Sequence, residues 1–172
     1  MNAGPMMMMG SSGAASESEY LAEMVAHHQE AVLAAGELSR SERQEMRAFG
    51  ESIVKTQSAQ IEQMSAWLAE WYPDQSPATD YQPMMRDLEN LSGDDLDRAF
   101  LDDMIGHHMA AVMMSQHLLA LPADHEEVTD LARTIRDDQH SEIVQMQRWL
   151  AEWFDADWNG MGHGMDHGTD VP

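Results

Sequence analysis

The chain repeats itself, and the repeat limits it to a symmetric helical architecture. Tyr20-Leu21-Ala22-Glu23-Met24-Val25-Ala26-His27-His28 returns as Phe100-Leu101-Asp102-Asp103-Met104-Ile105-Gly106-His107-His108, displaced by 80 positions. Further on, Ile53, Gln57, Ile61, Met64, Trp67, Leu68 and Trp71 return as Ile135, Gln139, Ile143, Met146, Trp149, Leu150 and Trp153, displaced by 82, so the second copy carries two extra loop residues. Apolar residues recur at helical spacing in each copy (Leu21, Met24, Val25, His28, Val32, then Ile53, Gln57, Gln60, Ile61, Met64), which predicts two amphipathic helices per copy and no strands. The segment Tyr72-Pro73-Asp74-Gln75-Ser76-Pro77 ends the second helix, and Leu121-Pro122-Ala123-Asp124 makes the turn inside the second copy. Two hairpins, each apolar on one face, bury those faces best against each other. The prediction is an all-α four-helix bundle over residues 17–158, with pseudo-symmetric hairpins at 17–72 and 94–155. A flexible Met-rich tail over 1–16 and a flexible Gly/Met/His-rich tail over 159–172 are expected to flank it.

Charge excludes several partners. Thirty-one acidic residues against nine basic ones give a net charge of -22, which repels nucleic-acid phosphates and anionic lipid surfaces and draws cations. No apolar run approaches the roughly 20 residues that cross a bilayer, so membrane insertion is not expected. The unusual counts are 17 Met and 9 His beside no Cys. Thioether sulfur is a soft donor suited to Cu(I), and imidazole suits several transition metals. Neither forms a disulfide in an oxidising compartment, which fits a periplasmic or secreted setting. Residues 1–16 contain no basic segment followed by an apolar one, so no signal peptide is legible in the sequence.

A helical wheel at about 100° per residue distributes the donors. His108 faces inward among Leu101, Met104, Ile105, Val112 and Ser115, whereas His107 is expected on the flank with Met114 and, further round, His117. Met109 and Met113 look outward. On the fourth helix Gln139, Glu142 and Met146 share the inward stripe, so His108 is expected to meet Glu142 across the interior, with Gln60 in that place for His28. One reading makes the inward histidines hydrogen-bonded core residues and Met24, Met64, Met104 and Met146 ordinary packing. The other notes that Met24 to His28, repeated as Met104 to His108, sets a thioether and an imidazole one turn apart on one face beside His27 and His107.

Met109 to Met113 and Met113 to His117 are also i,i+4 pairs, and burial does not explain an exposed Met and His ladder; metal binding or a protein contact does. His140, three residues after Asp137, lies on the outward side of its helix. In the C-terminal tail Met161, His163, Met165 and His167 alternate with glycines that let the backbone wrap round an ion. Met6 to Met9 form a similar cluster without histidine.

The run Met104-Ile105-Gly106-His107-His108, followed by Gln139, Glu142-Ile143, Met146 and Trp149-Leu150, resembles the bacterial domain-of-unknown-function family numbered 305, and the first copy matches too. The resemblance covers the bundle and not the tails. It implies a ferritin-like four-helix bundle and, through a copper-binding periplasmic member, the handling of copper or silver by Met and His.

Catalysis is not expected. Di-iron oxidation needs about four inward carboxylates with Glu-x-x-His on two helices, and Glu142 is the one inward carboxylate opposite a histidine. No Cys is present, and no Ser sits in a strained strand-to-helix turn. The expected function is extracytoplasmic copper binding for storage, buffering, resistance or delivery, with Cu(I) preferred by Met-rich sites and Cu(II) or Ag(I) as further guests. Metal ions and another copper-handling protein are the expected partners; no sequence feature fixes an oligomeric state. The alternative is a non-catalytic bundle whose Met-rich face binds a protein.

Overall fold

In the computed structural model, which describes residues 16–158, four helices follow one another: α1 (Glu17–Gly36), α2 (Gln44–Trp71), α3 (Gly93–Leu119) and α4 (Glu126–Phe154). No strand occurs among the described residues, and no helix there is long and apolar enough to cross a membrane. Local chemistry sets the helix ends. Ser16 caps α1 by accepting the Glu19 N–H, with Glu17 and Glu19 at the positive end of the helix dipole. α2 ends at Trp71 and α3 at Leu119, each shortly before a proline (Pro73 and Pro122) that cannot continue a helix. A 3-10 turn, Glu37–Arg40, closes the first hairpin.

α1 lies along α2 and α3 along α4, while the hairpins meet chiefly through α1 and α3. The apolar interior divides into two clusters that the internal repeat exchanges. Tyr20, Leu21, Met24, Met64, Val128 and Ile135 belong to one. Their counterparts Phe100, Leu101, Met104, Met146, Met46 and Ile53 belong to the other. Along α1 the first of these clusters precedes the second, and along α3 the order reverses, so the two inner helices run antiparallel.

One pair of equivalent positions shows how the halves diverged. Tyr20 Oη lies 2.8 Å from Ser115 Oγ in the interior, whereas the counterparts of these two residues, Phe100 and Ala35, are apolar. Burial, opposed by the Ser115 hydrogen bond, raises the Tyr20 phenol above its ordinary range, so it stays protonated. Tyr20→Phe alone strands the Ser115 hydroxyl and is expected to cost about 1 kcal/mol; adding Ser115→Ala should restore most of it, because removing both partners avoids an unpaired buried group. Urea unfolding of the two variants checks this, and equal losses in both would contradict it.

The bundle ends repeat the symmetry with different side chains. Asp97, fully buried, accepts from Ser41 Oγ and from Arg43, whose guanidinium lies 4.6 Å from the Trp153 ring centre. At the other end the counterparts are Glu17, His125 and Trp71. His125 Nδ1 is 2.7 Å from Glu17, and its ring stacks on Trp71 at 3.6 Å. Each end thus places a nitrogen-bearing side chain, Arg43 or His125, between a buried carboxylate and an indole.

Candidate metal centre

A polar belt separates the two apolar clusters. In α1 the clusters are represented by Met24 and Ala31, and His27 and His28 fall between them; in α3 His107 and His108 fall between Ile105 and Ala111. Gln57 and Gln60 interrupt α2 at the same level, between Ile53 and Met64, and Gln139 and Glu142 interrupt α4 between Ile135 and Ile143. All four histidines are buried.

The belt fixes which ring nitrogens are engaged. His28 Nε2 lies 2.7 Å from Gln60 Oε1, and His108 Nε2 bonds to Glu142, as the helical wheel predicts. An amide oxygen or a carboxylate only accepts, so Nε2 donates and the neutral ring keeps its lone pair on Nδ1. His107 Nε2 lies 3.3 Å from Glu30 Oε1. The Nδ1 atoms of His28, His107 and His108 have no partner. His27 stacks on His107 with ring centres 3.6 Å apart; neither of its nitrogens makes a well-formed hydrogen bond, and its polar neighbour is the His107 backbone.

Protonation follows burial. Desolvation, then the neighbouring imidazoles, holds His27 well below the usual histidine range. Burial lowers His28 to about 4, against the opposing hydrogen bond to Gln60 and with help from His107 and His108. Burial also lowers His107, against the opposing pull of Glu30. At neutral pH these three rings are therefore uncharged and hold lone pairs, the form that ligates metals.

Glu30 sits at the rim. Burial works against its charge, but hydrogen bonds from His107, the Met84 backbone N–H and Tyr81 outweigh this and hold its carboxyl at about 2. Tyr81 Oη donates to Glu30 Oε1 at 2.8 Å and lies 3.5 Å from His107 Nε2; burial and then Glu30 keep that phenol protonated. The inter-hairpin linker is thereby fastened over the histidine pair.

The donor set suits soft and borderline ions: imidazole nitrogen, a thioether one turn earlier on the same face of each inner helix (Met24 and Met104), and the Glu30 oxygens at the rim. Among the described residues no three His, Asp or Glu side chains stand in a ready coordination arrangement. An ion at the belt therefore calls for a turn of the stacked rings or for a methionine ligand.

Two expectations need correction. His107 is in the interior, stacked on His27, and Met114 is buried in one of the apolar clusters. The wheel allowed each helix one contact stripe, but α3 packs on both α1 and α4, which widens its buried arc to include the flank. Met24 and Met104 are fully buried, each in an apolar cluster. Met109 and Met113 are exposed, at 38% and 62%. His117 and His140 are exposed as well, and His140 lines a depression with Val112, Gln116, Arg136 and Asp137. Met6 to Met9, Met161, His163, Met165 and His167 lie outside the described residues. Sequence reasoning missed Glu30 and Tyr81. Glu30 was within reach, three residues after His27 on a helix, where side chains share a face; Tyr81 comes from the linker and has no local signal.

Fold and belt define a class of protein, two-hairpin helical bundles with histidine pairs at mid-height on the inner helices. The chain belongs to the DUF305 family: residues 17–150 match the Domain of unknown function (DUF305), with a second match over 118–169. Among solved structures, CopM in its Cu(I)-bound form is 28% identical with a TM-score of 0.73, over 82% of this chain and 99% of that one. CopM has also been solved in Cu(II)-bound and Ag-bound forms. A DUF305 protein from Streptomyces coelicolor, described among secreted proteins, is 27% identical with a TM-score of 0.74 over 87% of this chain and 98% of that one. A DUF305 fragment from Deinococcus radiodurans is 30% identical with a TM-score of 0.70, over 81% and 98%. No curated protein matches the chain in sequence.

Proposed function

We propose that this protein binds copper without catalysis, outside the cytoplasm, for storage, buffering, resistance or delivery. Cu(I) is the preferred ion, and Cu(II) and Ag(I) are further guests. The observation that carries the reading is the histidine belt, in which the Nε2 atoms of His28, His107 and His108 face protein acceptors while their buried Nδ1 atoms stay unpaired. Ligating histidines use their second nitrogen in this way, donating it to an acceptor that fixes ring and tautomer. Unpaired buried nitrogens are otherwise a net cost. One relative, CopM, solved with Cu(I), Cu(II) and Ag, supports the same ion class.

We assign the ligands to two places. Met24, His27, His28, Met104, His107 and His108 supply the interior. Met109, Met113, His117 and His140 supply an outer face, with Met161, His163, Met165 and His167 of the C-terminal tail as capture ligands; Met114, turned into an apolar cluster and away from that outer face, acts as packing. Anaerobic Cu(I) titration against a competing chelator tests the reading. Met109→Leu/Met113→Leu/His117→Leu should fold normally, since all three residues are exposed, and should lose the outer ion. His28→Leu/His108→Leu should lose the inner one. A wild-type chain that takes no copper from the chelator would refute the proposal.

Exposed Met109 and Met113 also favour a second reading, in which that face contacts another copper-handling protein. Binding of such a partner in metal-free buffer, lost in Met109→Ser/Met113→Ser, would distinguish it.

A further inference from the structure

We propose that the cleft between α2 and α4 binds a hard divalent cation through the amide oxygens of Gln57 and Gln139 and the carboxylates of Asp138 and Glu142. The site needs none of the copper ligands, although it borders the histidine belt through Glu142, which also accepts from His108 Nε2.

Gln57 and Gln139 occupy equivalent positions of the two repeats and are 3% and 4% exposed. The Oε1 atom of each has no hydrogen-bond partner. Both line a small cavity of about 10 Å³ together with Thr56, Gln60, Asp138 and Glu142, and with Ile53 and Ile135 as its apolar walls. That is room for roughly one water-sized occupant. Two of the lining residues, Asp138 and Glu142, bear carboxyl groups.

A single water could donate to both amide oxygens but would neutralise neither carboxylate. A divalent cation satisfies both demands. Carboxylates and amide carbonyls are the ligands hard cations take, at about 2.3–2.6 Å for Ca²⁺ and about 2.0–2.1 Å for Mg²⁺. The position also gives the ion a structural effect. The hairpins meet chiefly through α1 and α3, and an ion held by both Gln57 and Gln139 would tie α2 to α4 on the opposite side. The net charge of -22 would favour its uptake.

The test uses the full chain, stripped with chelator and kept copper-free, so that its outcome is independent of the copper titration. Thermal unfolding is followed with and without millimolar CaCl₂ or MgCl₂ at constant ionic strength. An ion present at a hundredfold its dissociation constant should raise the midpoint by about 5–10 °C, and the larger response identifies the preferred ion. Gln57→Leu/Gln139→Leu leaves every charge in place, so cation screening of the acidic surface persists while the specific rise should disappear. Equal rises in wild type and variant, or none in either, would overturn the site. Wild-type crystals soaked in Mn²⁺ give a reading that does not depend on the variant folding. An anomalous peak between residues 57 and 139 is expected; a lone water at about 2.8 Å, an inward amide nitrogen, or Mn²⁺ confined to the outer surface would refute it.

Discussion

Lowering the pH from 7 to 5 is expected to cost the bundle about 2 kcal/mol through His28 alone, with His27 and His107 adding losses of the same sign. Burial keeps these rings neutral in the fold, with His28 at about 4 against an ordinary value of 6.5. Below 6.5 the unfolded chain therefore binds protons that the folded chain refuses, and protons pull the equilibrium towards unfolding. The contribution is intact above pH 6.5 and falls by about 1.4 kcal/mol per pH unit for each such ring until its folded value is reached, about 4 for His28. Protonating carboxylates would relieve the repulsion among 31 acidic side chains, but ordinary carboxylates titrate near 4, mostly below this window. Urea midpoints at pH 7, 6 and 5 measure the slope. His28→Leu should flatten it by about one proton's worth whatever it does to the absolute stability, and a wild-type midpoint constant from pH 7 to 5 would show that the interior already tolerates charge.

Gly50→Ala should destabilise the chain by about 2 kcal/mol, although alanine is the better helix former. Gly50 lies inside α2, where alanine ordinarily gains about 1 kcal/mol over glycine. A Cβ there would stand 2.6 Å from the Ala35 carbonyl oxygen and 2.8 Å from Leu38 Cβ. The first of these is backbone near the end of α1 and cannot turn aside, so the two helices must part. Overpacking of this kind costs roughly 1–3 kcal/mol, and a backbone clash belongs at the upper end, which decides the sign. The equivalent position in the second hairpin is Ala132, itself fully buried. Alanine is accommodated there in the hairpin whose loop is two residues longer, and no 3-10 turn corresponding to Glu37–Arg40 closes it. A Gly50→Ala chain as stable as wild type in urea would mean that α1 and α2 part without cost.

The repeat made the helices legible, because Leu21, Met24, Val25 and His28 recur with the period of a helix and the same spacing returns one copy later at Leu101, Met104, Ile105 and His108. The contact of His108 with Glu142 and that of His28 with Gln60 were legible for the same reason, since inward stripes on neighbouring helices must meet. His107 was misplaced and Glu30 and Tyr81 were passed over. In these cases the deciding contact joins segments far apart in sequence: α1 on α3 for the stacked rings, and the linker on α1 for the Tyr81 and Glu30 pair.

By itself the sequence determined four helices in two equivalent hairpins, an excess of negative charge, and an inventory of thioether and imidazole donors, all properties of residue identity and spacing. Only the tertiary structure decided where those donors stand and which of their nitrogens are engaged. Packing α1 antiparallel to α3 brings the two histidine pairs to one level between the apolar clusters. Desolvation there strips the protons from His27, His28 and His107, and the acceptors Glu30, Gln60 and Glu142 hold Nε2 and leave Nδ1 unpaired. Burial and hydrogen bonding at that depth depend on what lies across the interior, which no periodicity along a single helix encodes.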